Sequence, residues 1–177
     1  MIHLPIPSRR RASGFTLIEL MVALAILGIV AAIGIPMYLD YVRRTQVAEA
    51  LALASSFKPI IGTFVEEENR FPRKAEVTHR PTGDYVKSVK WRHDLNLARR
   101  KDGYRGSVVA TLGNRADKAL TKGVRNLLLL TPWKKGDAVI EWECTATIPE
   151  KYLPGSCSPA SEAWQQQLLV ERWREKE

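Results

Sequence analysis

Apolar residues run almost unbroken through the early part of the chain and then thin into a spaced stripe. From Phe15 to Leu39 there are 25 residues, and Glu19 is the only charged one. At about 1.5 Å rise per residue, a helix over this run crosses a hydrocarbon core of roughly 30 Å with some tilt. A carboxylate at bilayer centre costs on the order of 2.5–3.5 kcal/mol, and less near the interface. Two readings follow: an ordinary signal anchor that tolerates an interfacial Glu19, or a helix in which a partner group offsets the charge. Arg9, Arg10 and Arg11 precede the run, so the positive-inside rule keeps the first fourteen residues in the cytoplasm. A cleaved secretory signal has an apolar region of about 7–15 residues. This run is longer and passes into an amphipathic pattern, so it is expected to be retained, with the rest of the chain outside the cytoplasm.

Beyond Leu39 the apolar positions fall at helical spacing: Val42, Val47, Ala50, Leu51, Ala54, Phe57, Ile61, Phe64 and Val65. That stripe predicts an amphipathic helix with one side against a domain. Pro36 removes a backbone donor and is expected to bend the helix, and Gly28 and Gly34 weaken the same stretch. Pro59 predicts a kink rather than a stop, because the apolar period resumes at once. Glu66-Glu67-Glu68-Asn69-Arg70-Phe71-Pro72 ends the helix, with Pro72 forcing Phe71 to be extended. Strand signals follow at Tyr104–Leu112, Val124–Thr131 and Ala138–Cys144, separated by turn chemistry at Gly113-Asn114 and Gly136-Asp137. With Tyr85–Trp91 added, the expected fold is α+β: a long N-terminal helix packed on a four-stranded antiparallel sheet.

Charge adds one region of interest. The whole chain carries a formal +8, and removing the three leader arginines leaves +5. Between Arg73 and Arg105 ten Lys/Arg stand against Glu76, Asp84, Asp94 and Asp102. With Tyr85, Trp91 and Tyr104 interleaved, this stretch reads either as a solvated connecting region or as a surface for nucleic acid and anionic cell surfaces. The two cysteines, Cys144 and Cys157, argue for a disulfide in an extracytoplasmic domain. Only His3, His79 and His93 occur, none at zinc-motif spacing to a cysteine. No Ser/His/Asp constellation, phosphate-binding loop or CxxC is present, so no enzyme, cofactor or metal site is expected. The tail from Ser158 to Glu177 carries Trp164, Leu168, Leu169, Val170 and Trp173 behind a capping Ser161. It reads as a helix docking on the domain or on a neighbouring subunit, or as a frayed end.

The hexapeptide Gly14-Phe15-Thr16-Leu17-Ile18-Glu19 resembles the processing site of type IV pilins. Further segments look like a type IVa major pilin head: Tyr85-Val86-Lys87-Ser88-Val89, Leu127-Leu128-Leu129-Leu130-Thr131-Pro132, Trp142-Glu143-Cys144 and Tyr152-Leu153-Pro154-Gly155-Ser156-Cys157. Ser13 departs from the pattern, standing where a basic residue is common. The resemblance implies that a prepilin peptidase cuts between Gly14 and Phe15 and methylates the new amine on Phe15. It implies that Glu19 pairs with the N-terminal ammonium of a neighbouring subunit, and that the helix near Pro36 unwinds as subunits pack. It also implies a loop closed by Cys144 and Cys157 that is exposed on the filament. The expected parts are a leader (1–14), a membrane and filament-core helix (15–39), its amphipathic half (40–72), a globular head (73–157) and a tail (158–177). Expected partners are identical subunits, the peptidase and the inner-membrane assembly machinery, with host or abiotic surfaces and DNA beyond them. The precursor is expected in the inner membrane with a periplasmic head, and the assembled pilus outside the cell. The implied roles are adhesion, twitching motility and DNA uptake. The alternatives are a minor pilin, a type II secretion pseudopilin or a DNA-binding competence pilin.

Overall fold

The computed structural model describes residues 14–93, 106–122, 126–135 and 139–161. The leader before Gly14, Tyr104, the Gly136-Asp137 turn and tail residues 162–177 lie outside the described residues. Helix α1 runs from Leu17 to Ser55 and contains Pro36, so the missing donor does not end it. The chain divides into two compact units, the first ending at Leu39 and the second starting at Asp40.

In the second unit α1 gives way at Ser56 to α2, Phe57–Glu68. Ser56 keeps right-handed helical angles, φ −63° and ψ −16°, and its N–H still donates to Ala52 O at 3.3 Å. Pro59 therefore interrupts the helix only at Ser56, because it withholds only the bond to Ser55 O. The Ser56 hydroxyl donates to Leu53 O at 2.7 Å and takes up part of the slack. The helix stops at Asn69, which is left-handed (φ 52°) and donates its N–H to Val65 O at 2.9 Å. Of the apolar stripe, Val47, Ala50, Ala54, Phe57, Ile61 and Val65 are buried.

These side chains meet a sheet of five strands: β1 Val86–Arg92, β2 Ser107–Leu112, β3 Leu127–Lys135, β4 Val139–Ala146 and β5 Cys157–Pro159, in the order β1-β2-β3-β4-β5. The first four are antiparallel neighbours, and β5 runs parallel to β4. The expectation of four strands falls short by β5. That strand has only three residues, too few for any period, and its place beside Cys144 follows from the cysteine pair. The core inside the sheet is Val86, Val89, Trp91, Val108, Ala110, Leu112, Leu128, Leu130, Ala146 and Ile148.

β3 runs past Thr131 through Pro132. Thr147 N–H donates to Leu127 O; by alternation Leu127, Leu129 and Thr131 bond to β4, while Leu128, Leu130 and Pro132 face the β2 side. Among the described residues the β2–β3 register ends at Val108 and Leu130, so Pro132 lies past the paired positions, where a missing donor is tolerated. Between β2 and β3 a one-turn helix, α3 (Lys118–Thr121), follows the turn chemistry expected at Gly113-Asn114. Asp117 caps it by accepting from Ala119 N–H at 2.7 Å, and Leu120 fills the core. Trp91 is sealed by Gly106, whose φ of 146° and close approach to the indole leave no room for a Cβ.

Candidate processing and assembly site

The chain enters α1 through the hexapeptide. Glu19 N–H donates to Thr16 Oγ1 at 3.3 Å, so Thr16 caps the helix just before its first turn. Glu19 then stands in that turn, where the helix dipole favours a carboxylate. The spacing Thr16-x-x-Glu19 is itself a capping-box signal that the sequence reading passed over. Gly14, Phe15 and Glu19 are all exposed, Phe15 at 85%. A Cβ built on Gly14 meets nothing within 4 Å, and the same holds at Gly28 and Gly34. None of the three glycines is required by packing within one chain.

From Phe15 to Leu39 every large apolar side chain is exposed, and the helix is long and apolar enough to cross a membrane. An apolar surface of this extent marks an interaction with lipid or with other chains.

The second unit brings together a polar cluster that no motif announced. Asp40 Oδ1 accepts from Arg43 Nη1 at 2.9 Å and from the Tyr152 hydroxyl at 3.2 Å. Its Oδ2 faces Lys151 Nζ at 3.3 Å. Arg43 also donates to the Tyr152 oxygen at 3.2 Å and pairs through Nε with Asp117 at 3.2 Å. Arg44 Nε donates to Lys151 O at 2.9 Å. Burial pulls the Asp40 carboxyl upward, but hydrogen bonds from Lys151, Arg43 and Tyr152 outweigh it and leave the pKa below 3.8. Desolvation is likewise the largest influence on Arg43, and its bonds to Asp40, Tyr152 and Asp117 overcome it, raising the guanidinium. The sequence signal was Asp40-x-x-Arg43 at helical spacing, directly after the apolar run.

The cluster ties α1 to the loop closed by Cys144 and Cys157. The two cysteines are bonded, with Cα atoms 4.5 Å apart on adjoining positions of β4 and β5. Tyr152 anchors the loop, 3% exposed, within the short 3-10 turn Glu150–Tyr152. The loop is thus held at its ends by sulfur and in its middle by α1.

The acidic residues that end α2, Glu66 to Glu68, are exposed, as a solvated face requires. Beyond them, Arg70 grips Glu76 through two bonds of 2.9 and 2.8 Å, and Arg73 N–H donates to the same carboxylate at 2.6 Å. Those bonds, Arg70's first, hold the Glu76 pKa at about 2. Part of the basic stretch, 94–105, lies outside the described residues. Within the rest, Trp91 is buried, stacks on Phe71 at 6.4 Å and donates its indole N–H to Pro72 O at 2.8 Å. It is a core residue and offers no face to a nucleobase.

Comparison with known proteins addresses both units. The prokaryotic N-terminal methylation motif matches residues 9–35, and the family described as pilin (bacterial filament) matches residues 43–158. The fimbrial protein EcpC of Eikenella corrodens is 36% identical over 151 residues, covering 84% of this chain and 92% of that protein. The type IV major pilin protein PilE1 of Neisseria gonorrhoeae is 31% identical over 176 residues, covering 85% and 89%. The type IV major fimbrial protein FimA of Dichelobacter nodosus is 32% identical over 159 residues, covering 84% and 96%. The chain belongs to the type IV pilin family, and it is a structural filament subunit rather than an enzyme.

Proposed function

We propose that this chain is the precursor of a major pilus subunit, cut between Gly14 and Phe15, N-methylated on Phe15 and polymerised through α1. Family membership makes it a filament subunit with a membrane-anchored precursor and an extracellular assembled form. The observation that carries the finer reading is the continuous exposed apolar surface of α1 as far as Leu39, with Glu19 as the one charge in that stretch. Bundling such helices hides the surface from water once the subunit leaves the membrane. A neighbour's Phe15 ammonium offsets the Glu19 carboxylate, and an ion pair that exists only between subunits fixes axial register.

The glycines support the same reading. Gly28 and Gly34 each cost about 1 kcal/mol relative to Ala in a helix interior, and no side chain of their own chain approaches them. Small residues let neighbouring helices come close. Pro36 leaves the Ala32 carbonyl without its helical donor, so the turn before it is the one that unwinds most readily. Gly14 is explained by the peptidase's cleft rather than by folding.

The inner membrane, with the head in the periplasm, is the proposed site of storage, and the assembly machinery there is the proposed partner. Adhesion and twitching motility are the proposed uses of the filament. Contact with DNA would rest on the basic stretch through charge and not through Trp91 stacking, and so would weaken steeply with salt. The test is the composition of filaments sheared from cells. This chain is expected as their dominant protein; near absence from them would make it a minor pilin or pseudopilin.

A further inference from the structure

Cations gather at one end of the head, the end that follows the apolar run. Arg43 and Arg44 stand on α1, Lys118 and Lys122 on and just after α3, and Lys151 in the loop closed by the disulfide. The fold joins these three segments. Asp117 N–H donates to Gln46 Oε1 at 2.9 Å, Asp117 Oδ2 lies 3.2 Å from Arg43 Nε, and Arg44 Nε donates to Lys151 O at 2.9 Å. The half-buried Arg43 takes both Asp40 and Asp117, and Asp40 also holds Lys151. Among the described residues no carboxylate pairs with Arg44, Lys118 or Lys122, and all three are exposed. Glu150 is exposed beside Lys151, so five cations here stand against three acids.

We propose that this end of the head is a docking surface for anionic phospholipid headgroups, engaged while the subunit is stored with α1 in the bilayer; the inference rests on that storage reading. Chain connection alone gives the position. Asp40 directly follows Leu39, where the exposed apolar stretch ends. Arg44 lies about 7.5 Å further along α1, at about 1.5 Å per residue. That is within the screening length of about 8 Å at physiological ionic strength, so phosphates at the end of the span attract the cations. Tyr38 and Tyr41, both exposed, bracket the same point. Tyrosine favours the headgroup level, because its ring is apolar and its hydroxyl polar.

The side chains suit the ligand. Lys and Arg clustered beside a membrane span bind anionic lipid through charge, each cation adding to the attraction. Arg44 engages only its Nε, on Lys151 O, among the described residues, which leaves the terminal nitrogens to grip a phosphate by two bonds. The flexible stems of Lys118 and Lys122 reach headgroup oxygens without carrying the backbone into the interface. Docked in this way, the precursor holds its head against the bilayer until α1 is withdrawn.

The test uses the full-length chain in phosphatidylcholine nanodiscs, neutral or enriched in phosphatidylglycerol, with a gadolinium-chelating lipid as headgroup probe. Broadening of the Lys118 and Lys151 amide signals should be at least about twofold greater in the anionic discs, and the excess should vanish in high salt. The amides of Glu66 to Glu68, at the C-terminal end of α2, serve as the internal reference. Arg44→Gln, Lys118→Gln and Lys122→Gln together should return the broadening to its neutral-disc value, with β2 and β3 amide shifts unchanged. Equal broadening in both kinds of disc overturns the proposal. So does an excess that survives the three substitutions, and if filaments are then lost in cells the cations serve a neighbouring copy instead. Should the triple variant disturb the sheet, the wild-type comparison and its salt dependence decide alone. A chain that inserts in neither disc defeats the storage reading itself, whereas insertion in both with equal broadening defeats only the docking surface.

Discussion

Glu19 illustrates how one residue serves the monomer and the polymer differently. In the single chain it occupies the first helical turn behind the Thr16 cap, where its charge is mildly favourable. In the proposed filament it becomes the register-setting acid. Glu19→Ala is therefore expected to leave membrane insertion intact while filaments are lost; normal piliation in that variant would remove Glu19 from assembly. Gly106→Ala should destabilise the head on the order of 1–3 kcal/mol, because φ 146° and the Trp91 indole both exclude a side chain. Unfolding midpoints in urea would report it. Glu76 makes a pH prediction. Its folded pKa of about 2 lies below the ordinary 4.5, so its contribution is complete above about pH 4.5 and disappears as pH falls through about 2. The difference in melting temperature between wild type and Glu76→Gln should be constant above that window and shrink within it. Gly14, Phe15 and Glu19 were legible as a motif. Asp40, Arg43 and Tyr152 were not, because a cluster assembled from residues over a hundred positions apart leaves only its helical i,i+3 pair in the sequence.

Among the elements, those with a long period were legible and those set by tertiary contact were not. The stripe from Val47 to Val65 announced the helix and its buried face, and Pro59 announced an interruption, which falls at Ser56, rather than a stop. β5 was invisible because three residues have no pattern; it exists because the Cys144–Cys157 bond lays it beside β4. α3 was missed for the same reason, one turn held by the Asp117 cap and the Leu120 plug. Breaking the bond should therefore cost more than a local loop. Cys144→Ala is expected to lower stability by roughly 3 kcal/mol and to speed amide exchange in β5 and around Tyr152 before the rest of the sheet. Equal exchange in wild type and variant would mean that the Asp40–Arg43–Tyr152 cluster alone holds the loop. Phe57→Ala, at the α1–α2 junction, should cost about 3–5 kcal/mol and weaken the whole second unit.

For the whole molecule, the two compact units divide the work. The head is stabilised by its own core, its disulfide and its polar cluster. Among the described residues the apolar helix as far as Leu39 is exposed, which suits it to a membrane or to a filament core. On the proposed processing, cleavage after Gly14 controls passage from one to the other. The mass and sequence of the N-terminus of the protein purified from cells test this most directly. The account predicts a chain that begins at Phe15 with a methylated amine. A chain that retains Met1 to Gly14 in assembled filaments, or one cleaved beyond Leu39, would contradict it.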